Sequence, residues 1–485
     1  MPKRSDEMAD KVIEEEKKQQ RFIMALAVTS IVTMMNNTTV SVSLPSFMEI
    51  FAIDVRAAQW VIVGYMLPLG MCMPLSGYLG ARYGYRKVYL LMLIFMGIAS
   101  LGCAVAQSFY VLVAFRFLKG VFAGIIIPFT ISMIYYYIPK YKQVKYLGIS
   151  NMTNAFGVTI GPSMAGFILQ YGSWHALFLF NIPLIMLAFW LSYRALPKSA
   201  GNKATKRTDI LGIGQICFGT GLVLLAFTNL EIWGIKAAKF WLMIVIGLAL
   251  VAVFIYRQGR IANPLLNFAV LKYRSFAVTV IVSAFMATVL GINGILNNIF
   301  MQNLLRLSPF QAGIAMLIPS IVLILGTEAT EILIKRLSSK TLVVAGVVLV
   351  SMGNLLMSNC KMETSIVTVV IFLSVRYFGL GLEQTPLSDY GMKMIPQEMA
   401  GHASSMLSWC KQIATIVSTD VLTIAMSINT TRYYKTLGGG AMIDKNTTVY
   451  QEALLKAVNM DYFYLACMAM AAMIVAVIMM KSKEK

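Results

Sequence analysis

A run of amide and hydroxyl side chains interrupts an apolar stretch near the start of the chain. In TMMNNTTVSVSLP, residues 33–45, these side chains are Asn36, Asn37, Thr38 and Thr39. An amide can donate and accept hydrogen bonds, but it exchanges no proton in the physiological pH range. Because polar groups are costly in hydrocarbon unless they are satisfied, we expect the run to face a cavity or another helix. Ligand binding and hydrogen bonding between helices both stay open.

Two cations in a later apolar run, Arg116 and Lys119, are the second feature that could do chemistry. Between residues 23 and 206 the only acids are Glu49 and Asp54, which lie just after the first apolar run. A charge near the centre of a bilayer is costly without a partner or water. We therefore expect a counter-ion either from the second half of the chain, across a wet central cleft, or from a bound anionic ligand.

Acidic residues occur inside apolar runs of the second half, at Glu328, Glu331, Glu383 and Asp420. Acids within membrane segments often mark proton pathways. Asp420 is isolated in its helix and is the leading proton-carrier candidate, with an ion pair between helices as the alternative. Glu383 and Glu328 are further candidates for proton coupling. Glu331 stands four residues before Lys335, which favours an ordinary interfacial ion pair.

The composition shows in which environment these side chains act. The 485-residue chain is 58% hydrophobic and 13% charged, and its mean hydropathy is +0.72. These values exclude an ordinary soluble domain. The apolar runs have the length of membrane-spanning helices, which satisfy their own backbone hydrogen bonds in lipid. Residues 1–21 are of mixed charge, so we expect no cleavable signal. We predict an all-helical membrane protein.

Apolar windows between charged or turn-rich breaks predict fourteen spans. They cover residues 22–45, 58–80, 87–107, 110–138, 145–171, 174–195, 210–230, 238–257, 275–301, 309–333, 341–358, 364–387, 400–428 and 461–480. Lys and Arg are concentrated in the segments that would lie inside if the N-terminus is cytoplasmic, in agreement with the positive-inside rule. We therefore expect a multi-pass protein of a bacterial-type plasma membrane with both termini in the cytoplasm.

The predicted spans are arranged as six, two and six. The expected domains are a cytoplasmic tail over 1–21, an N-terminal six-helix bundle over 22–195, a linker with two extra spans over 196–264, and a C-terminal six-helix bundle over 265–485. RFLKGVFAG from Arg116 and RYFGLGLEQTP from Arg376 each place Arg and Gly in the fourth span of a half. Duplicated halves are a usual construction of secondary transporters.

Several kinds of function are not expected. The net charge of +20 sorts by loop and forms no single patch, so nucleic acid is not an expected partner. The six cysteines, and the isolated His175 and His402, lack the spacing of metal ligands, and we expect no metal site. A phosphate-binding glycine loop and a nucleophile–histidine arrangement are both missing from the sequence, so we expect no catalytic residues and no enzyme.

Three motifs, GYLGARYGYRK at 77–87, RFLKG at 116–120 and GVTIGPSMAG at 157–166, resemble those of the major facilitator superfamily, specifically its fourteen-span drug:proton antiporter branch. GYLGARYGYRK, Gly77–Lys87, is similar to the loop signature between the second and third spans, and RFLKG, Arg116–Gly120, resembles the basic motif of the fourth span. GVTIGPSMAG matches the antiporter motif of the fifth span at Gly157, Gly161, Pro162 and Gly166. The small residues of this motif also predict a groove in which another helix can approach closely.

The resemblance implies a fold of two six-helix bundles plus two linker spans. It implies export of hydrophobic or amphipathic compounds by alternating access, with the proton gradient as the energy source and without a cofactor. The expected partners are a small-molecule substrate and membrane lipids, and the expected state is a monomer. The alternative is a transporter of anionic amphiphiles or lipids, drawn to Arg116 and Lys119, with weak or no proton coupling. A membrane sensor that transports nothing is a third interpretation.

The resemblance also implies roles for particular residues. The substrate cavity would include Asn36, Thr39, Trp60, Tyr65, Arg116 and Arg376, and the cytoplasmic gate loop would include Gly77, Gly84, Arg86 and Lys87. Two acid positions of the branch are neutral here. Counting nine residues back from Pro45 to the usual Asp of the first span gives Asn36, and Ala81 stands where the loop signature carries the acid of its gate. Proton coupling through a carboxylate is therefore expected from the second half.

Overall fold

The computed structural model describes residues 2–197, 209–261, 263–438 and 447–480. Within these ranges the regular secondary structure is entirely helical, which confirms the predicted all-helical class. By their internal contacts the residues form two units. Unit 1 comprises residues 1–209 and 400–405, and unit 2 comprises residues 210–399 and 406–485.

Unit 1 is built from nine helices in its described residues, together with the first residues of a later one. The helices are α1 (Pro2–Thr38), α2 (Leu44–Phe51), α3 (Val55–Cys72), α4 (Leu75–Tyr83), α5 (Tyr85–Ala104), α6 (Phe109–Tyr137), α7 (Lys140–Tyr171), α8 (Trp174–Leu179) and α9 (Asn181–Ala195). A 3₁₀ turn over Thr39–Ser43 joins α1 to α2.

Local sequence explains where the helices of unit 1 begin and bend. The Asp54 side chain accepts a hydrogen bond from the backbone N–H of Ala57 and caps α3, and Ser108 caps α6 in the same way. Helices α3 and α4 meet at an angle of 58°. Pro74 lies in the break between them, and a proline there removes a backbone donor and disfavours a straight helix.

Unit 2 contains the remaining helices. They are α10 (Ile210–Thr228), α11 (Leu230–Trp233), α12 (Ala238–Gln258), α13 (Arg274–Asn298), α14 (Pro309–Leu333), α15 (Ser339–Met357), α16 (Ile366–Met392), α17 (Ala400–Thr436) and α18 (Thr448–Met479). Helix α17 begins in unit 1 with residues 400–405. Helices α10 and α12 pack at two glycines, since a Cβ at Gly247 would lie 2.8 Å from the carbonyl oxygen of Gly219.

Eleven helical segments of the described chain are long and apolar enough to cross a membrane, or twelve if α3 and α4 form one span. The chain is therefore a multi-pass helical membrane protein. The two predicted spans outside this set are residues 22–45 and 145–171, which lie mainly in α1 and α7. Both regions are helical, but their polar residues lower the hydropathy. A count of exactly fourteen spans is thus not established, and the predicted domain boundaries stay predictions.

Candidate functional site

The basic pair of unit 1 is buried among neutral groups. Arg116 and Lys119 lie one turn apart on α6 and are 1% and 0% exposed. Arg116 Nε donates to the carbonyl oxygen of Val61 on α3 at 2.9 Å, and Arg116 Nη1 donates to the carbonyl oxygen of Asn36 on α1 at 3.1 Å. Lys119 Nζ donates to the side-chain Oδ1 of Asn36 at 2.6 Å. Asn36 thus binds both cations, one through its backbone and one through its amide.

Two aromatic rings complete this group of side chains, and we call Asn36, Tyr65, Arg116, Lys119 and Phe178 together the basic cluster. The Arg116 guanidinium lies 4.8 Å from the centre of the Tyr65 ring, and Lys119 Nζ lies 5.4 Å from the centre of the Phe178 ring on α8. Cations are attracted to the faces of aromatic rings. The Tyr65 hydroxyl donates to the carbonyl oxygen of Thr33 at 3.2 Å, which connects the cluster to another turn of α1.

No carboxylate among the described residues forms an ion pair with either cation. Ion pairs occur instead at Lys18–Glu14 and Lys142–Glu16, far along the chain from both cations. Two buried donors of the cluster, Asn36 Nδ2 and Arg116 Nη2, have no hydrogen-bond acceptor in the described part of the protein. A buried donor without an acceptor costs about 1–3 kcal/mol. The cluster is therefore a place where an acceptor atom from a ligand would be stabilised.

A small cavity of about 30 Å³ lies beside the cluster, between α1, α6 and α7. It is lined by Ser30, Thr33, Met34, Ile126, Ile127, Thr130, Ile131, Ser150 and Asn154. Its volume is enough for a water-sized group. Thr33 lines the cavity, and its carbonyl oxygen accepts the hydrogen bond from the Tyr65 hydroxyl. Because the Tyr65 ring contacts Arg116, the cavity wall is linked to the arginine through these two residues. Sequence reasoning missed this lining, although Ser30 and Thr33 share a helix face with the spacing of neighbours.

The two threonines of the first run have local partners. Thr39 is buried, and its hydroxyl donates to the carbonyl oxygen of Met35 one turn earlier. Thr38 likewise bonds back to the preceding turn of α1. Trp60, which was predicted to line the substrate cavity, is 39% exposed. Of the predicted cavity residues of unit 1, the structure brings together Asn36, Tyr65 and Arg116.

Unit 2 contains a similar buried arginine. Arg376 on α16 is 1% exposed, and its Nη1 donates to the amide oxygens of Asn293 at 2.7 Å and Asn354 at 3.3 Å. Its Nη2 donates to the amide oxygen of Asn297 at 3.2 Å, which also accepts from the hydroxyl of Tyr462 at 2.9 Å. The sequence analysis did not identify these partners. The signal was present, because Asn293 and Asn297 lie four residues apart in an apolar run.

The two arginine clusters share a construction. In each unit an arginine of the fourth predicted span of its half contacts an asparagine of the first predicted span of that half, Arg116 with Asn36 and Arg376 with Asn293. In both cases the guanidinium donates to neutral oxygen atoms, and one of its nitrogens, Arg116 Nη2 or Arg376 Nε, has no acceptor among the described residues. The weak repeat seen in the sequence thus corresponds to a repeated arrangement of side chains.

The three proton-coupling candidates have different surroundings. Glu383 on α16 is 1% exposed, and its Oε2 has no hydrogen-bond partner in the described residues, while the Lys411 ammonium on α17 is the nearby charge. Asp420 on α17 is partly buried and accepts a hydrogen bond from Thr228 of α10 at 3.3 Å. Glu328 on α14 is exposed. Glu383 is therefore the most enclosed of the three carboxyl groups.

A fourth carboxyl group, Asp461, was missed by the sequence analysis. Asp461 is fully buried on α18, and neither of its oxygens has a hydrogen-bond partner among the described residues. The predicted span began at residue 461 and placed this group at a membrane surface. Helix α18 begins at Thr448, so Asp461 lies more than three turns inside the helix.

The glycines of the antiporter motif differ in their contacts with α1. A Cβ at Gly157 would lie 2.8 Å from the carbonyl oxygen of Ile31, and a Cβ at Gly161 would collide with the Thr38 hydroxyl. At Gly166 no other atom comes within 4 Å of such a Cβ. Close helix approach therefore occurs at the first two glycines of the motif and not at the last.

The predicted gate loop contacts the first residues of α17 within unit 1. A Cβ at Gly77 would lie 2.6 Å from the carbonyl oxygen of Gly401, and the Gly77 N–H donates to the Ser405 hydroxyl at 2.8 Å. The Ser76 and Ser405 hydroxyl oxygens are 2.6 Å apart. Gly84 has a φ of +85°, a conformation that favours glycine. Hydroxyl groups and close backbone contact therefore join the gate loop to the start of α17. Position 81, where the loop signature carries an acid, is an alanine.

The cations of the same loop contact neighbouring residues of unit 1 or solvent. Arg86 Nη2 donates to the carbonyl oxygen of Tyr193 at 2.6 Å, and its guanidinium lies 5.2 Å from the centre of that ring. Lys87 and Ala81 are exposed. Arg86 therefore anchors the start of α5 to α9.

Comparison with known proteins gives consistent matches over most of the chain. The Major Facilitator Superfamily profile matches residues 26–419. The lincomycin resistance protein LmrB of Bacillus subtilis is 24% identical over 466 residues, with 95% of this chain and 96% of LmrB covered. The multidrug efflux pump LfrA of Mycolicibacterium smegmatis is 27% identical over 420 residues, with 82% and 79% covered. The solved structure of the E. coli proton:xylose symporter XylE superposes with a TM-score of 0.66 at 13% identity, with 95% of each chain covered.

Proposed function

The chain belongs to the Major Facilitator Superfamily, whose members are transporters and not enzymes, and we propose that it exports hydrophobic or amphipathic compounds. The proposed mechanism is alternating access driven by proton entry, as in the fourteen-span drug:proton antiporter branch. We further propose that the protein is a monomer in the plasma membrane, that both of its termini lie in the cytoplasm, and that it needs no cofactor.

The names of two relatives support this substrate class. LmrB is a lincomycin resistance protein and LfrA is a multidrug efflux pump, and each match covers more than two thirds of both chains. The antiporter motif adds a local argument, because Gly157 and Gly161 bring α7 against the helix that carries Asn36. A change in the α1–α7 contact would therefore act directly on the basic cluster.

The cavity of unit 1 is the observation that carries the proposal. Its wall combines aliphatic side chains such as Ile126 and Ile131 with the hydroxyls of Ser30 and Thr130. Such a mixed surface suits compounds that have both apolar and polar parts. Because the cavity now has room for only a water-sized group, a drug-sized compound requires an opening of α1, α6 and α7 during the cycle.

The charges of the basic cluster favour a second candidate substrate class. Arg116 and Lys119 are buried, and no carboxylate of the described residues neutralises them. An anionic amphiphile or lipid would supply that charge on binding. In this alternative, coupling to protons is weak or absent, because the substrate itself brings the charge that neutralises the two cations.

Substrate binding separates the two classes. Purified protein would be titrated with lincomycin, with the lipophilic cation tetraphenylphosphonium and with an anionic phospholipid, and the intrinsic tryptophan fluorescence would be recorded. The export proposal predicts saturable changes with lincomycin or tetraphenylphosphonium. A saturable change with the anionic phospholipid alone would favour the alternative.

The acids of the second half are tested by transport. The native chain, Asp420→Asn and Glu383→Gln would be reconstituted in liposomes, and tetraphenylphosphonium uptake would be measured with and without a pH gradient. We expect uptake by the native chain to depend on the gradient, and at least one substitution to remove that dependence. If both variants respond to the gradient as the native chain does, these carboxyl groups are not the coupling groups.

A further inference from the structure

Lys119 differs from its neighbour Arg116 in one chemical respect. A guanidinium stays protonated in proteins, whereas a buried lysine amine can lose its proton. Lys119 Nζ is fully buried, and its hydrogen-bond partner is the neutral amide oxygen of Asn36. A lysine without an anionic partner in a low-dielectric site is free to exist in both forms.

The groups around Lys119 do not hold it in the charged form. Arg116 on the same helix is a like charge, and Cys103 on α5 and Tyr65 on α3 are the other titratable groups in the cluster. Helix α1 carries no charged residue from residue 22 to its end at Thr38. On α8 the Phe178 ring faces the amine, and His175 stacks on Trp174 instead.

Asn36 can serve both forms of the amine. Its Oδ1 accepts a hydrogen bond from Lys119 here, and its Nδ2 has no acceptor among the described residues. A neutral amine has a lone pair that accepts a hydrogen bond. If the amide rotates by half a turn, Nδ2 donates to that lone pair, so the contact persists after the proton has left.

We propose that Lys119 is a proton-binding site of the transport cycle, charged in one state and neutral in another. The Asn36 amide accepts a hydrogen bond from the charged amine and donates one to the neutral amine. The inference deepens the proposed function and rests on it. In the binding step the nitrogen lone pair takes up a proton from water and forms one N–H bond, and in the release step that proton returns to water. The substrate is not altered.

Two transport assays in one set of proteoliposomes test the role. The first measures exchange of tetraphenylphosphonium at equal pH on both sides, and the second measures its accumulation under a pH gradient, with the membrane potential held at zero by potassium and valinomycin. The chains are the native protein, Lys119→Arg, Lys119→Gln and the exposed control Lys145→Arg. We expect the ratio of gradient-driven accumulation to exchange to fall in both Lys119 variants, while the control keeps the ratio of the native protein.

The outcomes distinguish this inference from the proposed function. If the native chain shows no exchange of tetraphenylphosphonium or lincomycin, the export function fails. If the native chain accumulates the cation under the gradient and Lys119→Arg does so equally, Lys119 is not the proton site and the function stands.

A direct measurement of the amine covers the case in which the Lys119 variants fold but transport nothing. The native protein, with ¹³C at the lysine Cε positions, would be placed in nanodiscs and its NMR spectrum followed as the pH is raised. A signal missing from the Lys119→Gln spectrum, or the one resonance shifted by Asn36→Ala, identifies Lys119. We expect this signal to move from the charged to the neutral position before those of the exposed lysines. A signal that moves together with the exposed lysines would overturn the inference.

Discussion

At the scale of single residues, Asn36 contacts both buried cations of unit 1. Its backbone oxygen accepts from Arg116 and its amide oxygen accepts from Lys119. Hydrogen bonds to charged groups contribute more than those between neutral groups, about 1.5–3 kcal/mol each. Neutral oxygen atoms thus hold two buried cations without fixing the protonation of the lysine.

The amide bond to Lys119 leads to a prediction about stability. Asn36→Ala removes the acceptor of a buried ammonium, and we expect the free energy of unfolding to fall by about 1.5–3 kcal/mol. Asn37→Ala, at the half-buried neighbouring position, is the matched control and should have a smaller effect. Thermal unfolding of the detergent-solubilised variants measures both. Equal destabilisation by the two substitutions would contradict the assigned hydrogen bond.

The arginine of unit 2 gives a second residue-level prediction. Arg376→Lys keeps the charge but loses the planar fork of two nitrogens through which Arg376 reaches Asn293, Asn297 and Asn354. We expect a loss of about 2 kcal/mol or more in unfolding free energy, from buried amides left unpaired. Arg274→Lys at an exposed position is the control. The arrangement would be wrong if the two variants were equally stable.

Sequence reasoning at this scale identified the cations and Asn36, but it did not identify the contacts between them. The contact between Asn36 and Lys119 depends on the register of α1 against α6, which residue types do not specify. Asp461 was missed for another reason, since the charged residues before it were interpreted as a loop and α18 continues through them. The asparagines around Arg376 could have been found from their spacing in an apolar run.

At the scale of helices, the α1–α7 contact gives the antiporter motif a physical basis. The predicted groove is present at Gly157 and Gly161, where the partner atoms include backbone of α1 and a hydroxyl. Backbone atoms cannot move aside as the end of a flexible side chain can. The motif glycines are therefore needed at these positions for packing, whatever further role they have in transport.

Two substitutions within this motif provide a matched test. Gly157→Ala places a methyl group against the Ile31 carbonyl, and we expect overpacking to lower the stability by about 1–3 kcal/mol. Gly166→Ala meets open space and should have little effect or stabilise α7 slightly, since alanine favours helix. Thermal unfolding of both variants would be compared. A larger loss at Gly166 than at Gly157 would contradict the packing described for α7.

The junction between the gate loop and α17 could not be predicted from sequence. The resemblance implied an acidic lock, and Ala81 gave no indication of what replaces it. The structure shows the Ser405 hydroxyl bound to Gly77 and Ser76, and a further hydrogen bond between the hydroxyls of Ser132 and Ser404. Serines in apolar runs are too common to signal such a contact before the helices are placed.

At the scale of the whole molecule, hydropathy predicted the class and most of the spans. Composition was sufficient because lipid imposes helical structure on every crossing segment. It was less informative for α1 and α7, whose polar residues serve the basic cluster, the cavity and the antiporter motif. The regions that hydropathy describes least well are thus the regions that carry the candidate site.

The proposed orientation of the chain predicts a labelling pattern. In a variant without the native cysteines, Lys361→Cys should react with a membrane-impermeant maleimide in intact cells, and Lys140→Cys should react only after permeabilisation. The reason is the excess of basic residues on the proposed cytoplasmic side. Both positions are exposed in the structure, so access from the correct side is the limiting factor. Labelling of Lys140→Cys in intact cells would invert the proposed topology.

Proton movement caused by substrate is the most direct test of proton-coupled export. Proteoliposomes that contain a pH-sensitive dye would be prepared with equal pH on both sides, and lincomycin or tetraphenylphosphonium would be added outside. As the compound enters down its concentration gradient, the account predicts that protons leave and the interior becomes alkaline, with no such change in protein-free liposomes. Entry of the compound without any change in internal pH would contradict it.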